Sequence, residues 1–479
     1  MKKVVLINIP SSENAYHSFQ DFVAVFPPIG LCTIAAVLEK LGYEVKIIDG
    51  DAEKLSLEEA VSRVADESPD YVGSTTMTAV MDIAGIFYSN LKKKLPEITV
   101  IVGGPHVSAI PEQTLQEFSS IDIAVIGEGD ETIVDLMSAL EQGTGLRNVD
   151  GIAFRMDAKI VKTALRPPVN DLSKTLSPAF HLLNFDLYRS YGWNKWISGH
   201  REPLGVVFTS RGCYGKCNFC ASHCVFGRGI RFFPIERITA EIDLLVTRYN
   251  IRILYFQDDT FTVNRRIVNE ICDHLIDKGY HRRLEIMVSA RIDTVHGPTF
   301  RKMRKAGVRW ICFGVESGNQ RILDSMSKGI TLNQMRNAFN EANSAGLHVA
   351  GNYMIGHLGE TWKTAEETIN LACELKQDYA SFAIAIPFPG TELYQWCLEI
   401  GLKLPSWNAF GSVNTPPIPL NTELDADALM QLRTIAINRF FKRPFFFTNL
   451  LLKFKAWTVI KDFLAMYIAI KKEMGLKRF

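Results

Sequence analysis

The sequence predicts an α/β chain: a doubly wound parallel sheet, then a partial or complete (β/α)6 TIM-type barrel, and finally a helical tail. Three observations carry this. Short apolar runs of strand length alternate with helical patterns over residues 1–150. The alternation lapses over 151–200, where Pro167-Pro168 and Pro178 leave few periodic runs. It resumes near residue 204 and passes through six βα units before the chain turns basic and aromatic. The expected organisation is a first domain at 1–150, a connector at 151–200, a barrel at 201–400 and a helical region at 401–479.

In the first domain the strand-like runs are Val4–Ile9, Glu44–Ile48, Tyr71–Ser74, Thr99–Val102 and Ile123–Ile126. Helical patterns lie between them at Gly30–Leu41, Leu57–Glu67, Val80–Leu95 and Pro111–Phe118, with Glu131–Glu141 last. Such strands belong to a parallel sheet covered on both faces, with ligands beyond the carboxyl ends of its strands. The barrel strands are read at Gly205–Thr209, Ile253–Gln257, Glu285–Ser289, Trp310–Gly314, His348–Ile355 and Ala380–Ile386. A barrel places its site on the loops that follow the strands.

A chain of 479 residues is too long for one ordinary core. The net charge of +1 provides no field to attract nucleic acid, so no such partner is expected. Met1-Lys2-Lys3 leads straight into a strand-like run, and no apolar stretch approaches the roughly 20 residues of a bilayer span. A cytoplasmic protein is expected. Nine cysteines, an odd number, argue for thiols and metal ligation over disulfides.

Thr209-Ser210-Arg211-Gly212-Cys213-Tyr214-Gly215-Lys216-Cys217-Asn218-Phe219-Cys220 follows the first barrel strand. Three thiolates at C-x3-C-x2-C spacing on so short a loop can grip three corners of an iron–sulfur cube and leave one iron open. Gly212 and Gly215 let the backbone turn around it. Cys224 leaves a competing reading open, a closed zinc or ferredoxin-type site. The other cysteines, 32, 272, 312, 373 and 397, sit in apolar surroundings and read as small core residues.

The C-x3-C-x-Phe-C pattern after a first barrel strand resembles the radical S-adenosylmethionine superfamily over roughly residues 204–400. The resemblance implies a [4Fe-4S] cluster on Cys213, Cys217 and Cys220. It implies S-adenosylmethionine chelated to the fourth iron and cleaved by one electron to a 5′-deoxyadenosyl radical. A reductant such as a flavodoxin or ferredoxin is implied too. By the same resemblance Asp258 or Asp259, Arg291 and Glu316 are assigned to S-adenosylmethionine, with Phe219 near its adenine. The usual Gly-Gly-Glu stretch is replaced by Gln257-Asp258-Asp259. The competing reading is that Arg291 and Glu316 pair with each other on the barrel rim.

In the first domain no G-x-G-x-x-G fingerprint follows the first strand. Gly73-Ser74-Thr75-Thr76-Met77, Val102-Gly103-Gly104-Pro105-His106 and Ile126-Gly127-Glu128-Gly129-Asp130 follow the third, fourth and fifth. Together they resemble cobalamin-binding domains fused to radical enzymes, which implies cobalamin near Ser74, Thr75, Gly103, Gly104 and Glu128. The Asp-x-His-x-x-Gly motif is absent, so cobalt is expected without that histidine. His106 is assigned to loop structure.

The tail from Arg439 to Phe479 holds ten Lys/Arg and two Asp/Glu. Phe454, Trp457, Leu464 and Tyr467 share a possible helix face. It reads as a helix packed on the barrel, with peripheral contact at the inner membrane surface as the competing reading. The activity implied by the resemblance is methylation of an unactivated carbon of a small or hydrophobic metabolite. The competing activities are an oxidative cyclase or ring rearrangement and, from another class, a corrinoid or iron–sulfur sensor without turnover.

Overall fold

A computed structural model describes residues 2–11, 25–157, 159–189, 202–411, 416–420, 423–444 and 446. The N-terminal unit runs β1 (Lys3–Asn8), α1 (Ile29–Lys40), β2 (Glu44–Asp49), α2 (Leu57–Asp66), β3 (Tyr71–Thr75), α3 (Met81–Lys94), β4 (Thr99–Gly103), α4 (Pro105–Ala109), α5 (Pro111–Glu117), β5 (Ile123–Val125), α6 (Gly129–Gln142), β6 (Ile152–Met156) and β7 (Lys159–Lys162). The strand order is β2-β1-β3-β4-β5-β6-β7. The first five strands are parallel and wound in the flavodoxin order, so their apolar runs are buried on both faces. Local signals agree: Ser56 and Glu59 form a capping box at the start of α2.

The connector begins differently from expectation. Residues 152–162 form an antiparallel hairpin, β6–β7, that extends the first sheet beyond β5. Two short strands carrying Arg155, Lys159 and Lys162 give little period-2 signal, and charges of this kind blunt a sheet edge.

The second unit contains β8 (Leu204–Val207), β9 (Ser210–Arg211), α7 (His223–Phe226), β10 (Arg231–Phe232), α8 (Ile235–Thr247), β11 (Ile253–Phe256), α9 (Arg265–Asp277), β12 (Glu285–Ala290), α10 (Gly297–Lys305), β13 (Val308–Glu316), α11 (Gln320–Ser325), α12 (Leu332–Ser344), β14 (His348–Ile355), α13 (Trp362–Glu374), β15 (Tyr379–Ile384) and α14 (Glu392–Glu399). Strands β8, β11, β12, β13, β14 and β15 form one all-parallel sheet in sequence order, with β8 and β15 at its two edges. The barrel is therefore partial.

A last helix, α15 (Ala426–Phe441), packs on α13 and on edge strand β15. Its Phe440 and Phe441 rings lie 6.3 Å from Phe382 and 6.2 Å from Tyr379. The described part of the tail is thus a barrel-packed helix that covers an open edge. Phe454, Trp457, Leu464 and Tyr467 lie outside the described residues. Among the described residues no helix is long and apolar enough to cross a membrane.

The two units share one core. The Tyr188 hydroxyl donates to Asp49 at 2.8 Å. The turn Trp407–Phe410 reaches back, with the Trp407 indole N–H on Glu117 at 2.6 Å and the Asn408 N–H on Asp82 at 2.8 Å.

Candidate functional site

The cysteine loop is clamped at its root. Strands β9 and β10 pair Ser210 with Phe232 and Arg211 with Arg231, and Cys213 bridges to Arg228. Gly212 has φ +85°, and a side chain there would run into the Gly229 carbonyl. The Gly215 N–H points at the Cys213 sulfur at 3.4 Å. Asp258, at the tip of β11, is buried and accepts from the Thr209 N–H (3.0 Å), the Thr209 hydroxyl (2.8 Å) and the Ser210 hydroxyl (2.6 Å). Burial pushes its carboxyl up to about 6. These bonds, most of them to Oδ1, tie the carboxylate to the loop root. The neighbouring Asp259 is exposed and accepts from Ser222 at 2.5 Å.

Cys217 is buried, Cys213 half-buried and Cys220 open to solvent on one side. Crowding by the surrounding protein pushes the Cys220 thiol up to about 11, and the charges of Asp259, Cys217 and Cys213 add to it. Cys224 sits apart. Its sulfur occupies the space that a side chain on Gly390 would need, and its charged neighbour is Arg228. Among the described residues no three His, Cys, Asp or Glu side chains converge tightly enough for a single metal ion. Three thiolates on one short loop are a donor set for three corners of an iron–sulfur cube, with one iron left open.

Arg291 and Glu316 do not pair with each other. Arg291 forks onto Asp293, donates to the Lys328 carbonyl at 3.1 Å and stacks over the Tyr214 ring at 5.0 Å. Glu316 accepts from the Lys328 ammonium at 2.8 Å, with both side chains almost wholly buried. Glu316 also has φ +67°, at a register shift between β13 and β14. Lys328 was not singled out from the sequence, because a lysine in a loop after a short helix reads as solvated.

Phe219 and Asn218 are held from three sides. Asn218 bonds the Met326 and Ser325 carbonyls at 3.1 and 2.7 Å and accepts from the Leu393 N–H at 3.1 Å. His357, at the tip of β14, meets the Asn218 amide oxygen at 3.0 Å, and its ring stands edge-on to Phe219 at 6.3 Å. Burial lowers its pKa to about 4, so the imidazole is neutral near pH 7.

At the carboxyl edge of the first sheet the three loops are tied together. The Thr76 N–H bonds the Gly103 carbonyl (3.0 Å), the His106 N–H the Thr76 carbonyl (3.3 Å), and the Gly127 N–H the Ser108 hydroxyl (3.0 Å). Gly104 has φ +100°, and a Cβ there would meet the Thr75 hydroxyl and the Thr76 backbone. Thr75 and Met77 are exposed on this ledge, which suits a flat ligand that lies close to the backbone. His106 is fully buried against Trp407, rings 4.8 Å apart, as a loop-structure role requires. Two of the expected residues have partners within the protein. Ser74 is buried and bonded to the Tyr88 hydroxyl. Glu128 is an interdomain ion-pair partner: it binds Arg211 at 3.1 Å, binds Arg231, and accepts from the Val169 N–H at 3.3 Å. Helix α4 of this ledge packs on α7 of the cysteine loop, so the two candidate cofactor sites adjoin.

Inside the barrel, alternate residues share the concave face. The Tyr255 hydroxyl meets Ser289 at 3.1 Å, Ser289 is in register with Cys312, and Gly314 with Asn352. Asn352 lies mid-strand with partners on both sides, yet its side chain is exposed, so the lumen is open at that level. Trp310, two residues before Cys312 on β13, is buried, with its ring 5.0 Å from that of His348.

A half-barrel with an open three-thiolate loop, joined to a flavodoxin-ordered domain, is the architecture of a radical S-adenosylmethionine enzyme. Family comparison matches the B12 binding domain at residues 20–137 and the Radical SAM superfamily at residues 207–372. The chain is 32% identical over 92% of its length, and 93% of the relative, to an uncharacterised methyltransferase of Pyrococcus horikoshii. It is 28% identical to the anaerobic magnesium-protoporphyrin IX monomethyl ester cyclase of Rubrivivax gelatinosus, covering 90% of this chain and 77% of that one. In fold it resembles the cobalamin-dependent S-adenosylmethionine radical enzyme OxsB, with a TM-score of 0.73 and 18% identity over 98% of this chain and 72% of the other. The chain belongs to the B12-binding branch of the radical S-adenosylmethionine superfamily. It is an enzyme, with a [4Fe-4S] cluster, S-adenosylmethionine and cobalamin as its cofactors.

Proposed function

We propose that the enzyme methylates an unactivated carbon of a neutral, largely apolar small molecule held in the barrel lumen. One observation carries this reading: the open thiolate loop adjoins the B12-domain ledge, above a lumen whose side chains at mid-depth, Tyr255, Ser289, Cys312 and Asn352, bear no charge. A charged substrate would lose its hydration there without a partner. When bound, the cluster and S-adenosylmethionine supply a hydrogen-abstracting radical, and cobalamin supplies the methyl group.

The chain's own residues orient and shield these groups. Cys213, Cys217 and Cys220 hold the cluster. Asp259 would accept from the amino group of S-adenosylmethionine, and the Glu316–Lys328 pair and Arg291 would serve its carboxylate and ribose side. Phe219, fixed through Asn218 and His357, flanks the adenine. Asn352 orients one hydrogen-bonding group of the substrate. Electrons come from a flavodoxin- or ferredoxin-class reductant.

The test is anaerobic turnover of enzyme from cobalamin-fed cells with methyl-labelled S-adenosylmethionine and a pool of neutral metabolites. Deoxyadenosine release and label in a carbon-bound methyl are expected. Cys217→Ala abolishes both, whereas Cys224→Ser keeps the cluster's visible absorption. Absence of deoxyadenosine overturns the reading. An unlabelled product lacking two hydrogens favours the second reading, a cyclase, which the 28% identity to the porphyrin cyclase over most of both chains supports.

A further inference from the structure

The cysteine loop is anchored to the N-terminal domain at both of its ends through one carboxylate. Arg211, two residues before Cys213, donates to Glu128 at 3.1 Å and to the two oxygens of Asp130 at 2.8 and 3.0 Å. Arg231, on the returning strand, binds Glu128 and also the carbonyls of Phe226 (2.8 Å) and Val169 (2.6 Å). Phe226 ends α7, the helix that follows Cys220. The Glu128 side chain is 3% exposed and that of Arg211 is 11% exposed, so water cannot replace a lost partner. Glu128 stands between Gly127 and Gly129 on the cobalamin ledge, and the Gly127 N–H is tied to Ser108 of α4.

We infer that Glu128 is a positioning residue through which cobalamin on the ledge and the cluster on the cysteine loop each strengthen binding of the other. A ligand that settles on the Gly127–Gly129 turn fixes the Glu128 backbone. The buried carboxylate then holds both arginines, and with them both roots of the loop that carries the thiolates. The exchange is thermodynamically reciprocal: whatever the ledge gives the loop, an assembled loop gives the ledge. Replacing the carboxylate by an amide removes the charge that both guanidinium groups follow and leaves the side chain's size unchanged. The inference rests on cobalamin occupying this ledge.

Hydroxocobalamin is titrated into the full-length protein before and after anaerobic reconstitution with iron and sulfide. In the wild type its affinity is expected to rise about fivefold or more once the cluster is present. In Glu128→Gln the two forms bind equally, at the affinity of the cluster-free wild type, with iron content unchanged. Hydrogen exchange across residues 209–232 slows on cobalamin addition in the wild type and not in the variant. An affinity indifferent to the cluster in the wild type overturns the inference, as does full coupling in the variant. Weakened cobalamin binding by cluster-free Glu128→Gln also overturns it, since Glu128 would then be a direct ligand. Should far-UV circular dichroism show the variant unfolded, Asp130→Asn, which leaves Glu128 on both arginines, is expected to lower the coupling without abolishing it. Undiminished coupling there would sink the idea.

Discussion

Arg291 turns one guanidinium nitrogen toward the sulfur of Cys217, at 3.9 Å, while its other two nitrogens fork onto Asp293 at 3.0 Å each. The fork and the Tyr214 ring beneath it leave the guanidinium little freedom, so the N–H is held toward the sulfur of a proposed cluster ligand. Hydrogen bonds to ligand sulfurs raise the reduction potential of iron–sulfur clusters.

Arg291→Met is therefore expected to keep its iron and to reduce at a lower potential than the wild type. Deoxyadenosine release should fall on the order of 10- to 100-fold, the usual cost of losing a partner of a metal ligand. A redox titration followed by electron paramagnetic resonance checks this; an unshifted midpoint would remove Arg291 from cluster tuning.

Lys328 and Glu316 form a buried pair at the rim of the lumen. Lys328→Met strands a carboxylate on a residue that already has positive φ, at an expected cost of about 3–5 kcal/mol. Urea unfolding measures it. The double variant Glu316→Gln/Lys328→Met should recover part of the loss, because no charge is then left unpaired.

Gly104→Ala tests the ledge. A methyl group there collides with Thr75 and the Thr76 backbone in a conformation that L-residues rarely adopt. The variant is expected to retain less corrinoid on purification while its iron content stays at the wild-type level. Equal corrinoid in both proteins would place cobalamin elsewhere.

Glu285 lies at the amino end of β12, on the floor of the barrel. Burial, aided by the charge of Glu202, pushes its carboxyl from 4.5 up to about 7. A carboxyl whose pKa rises on folding binds its proton more tightly in the native state. Stability therefore falls as pH rises from about 4.5 to about 7. Glu285→Gln lacks that penalty, so it should match the wild type at pH 4 and melt at a higher temperature at pH 8. Parallel melting curves at the two pH values would refute this.

The parallel strands were legible because each is a short apolar run buried on both faces, a pattern that survives without knowledge of its neighbours. The β6–β7 hairpin was not, since its strands are short, charged and solvated on one side. At the site the three cysteines stood out by their spacing, and the resemblance to a family assigned them to a cluster. Polar groups at strand tips were not legible, because a carboxylate beside an apolar strand looks the same whether it awaits a ligand or a partner. Asp258 spends its lone pairs on Thr209 and Ser210. Glu128 meets arginines 83 and 103 residues away. Lys328 gave no signal, since only the space left by Gly314 and the charge of Glu316 bring it inside.

The sequence by itself determined the two sheets, their order along the chain and the three thiolates that follow β8, because hydrophobic periodicity and ligand spacing are local properties. The tertiary structure alone decided which charges bind each other and which face the cofactors. Burial makes an unpaired charge too costly to keep, and the partner that removes that cost is chosen by the folding of distant strands into contact.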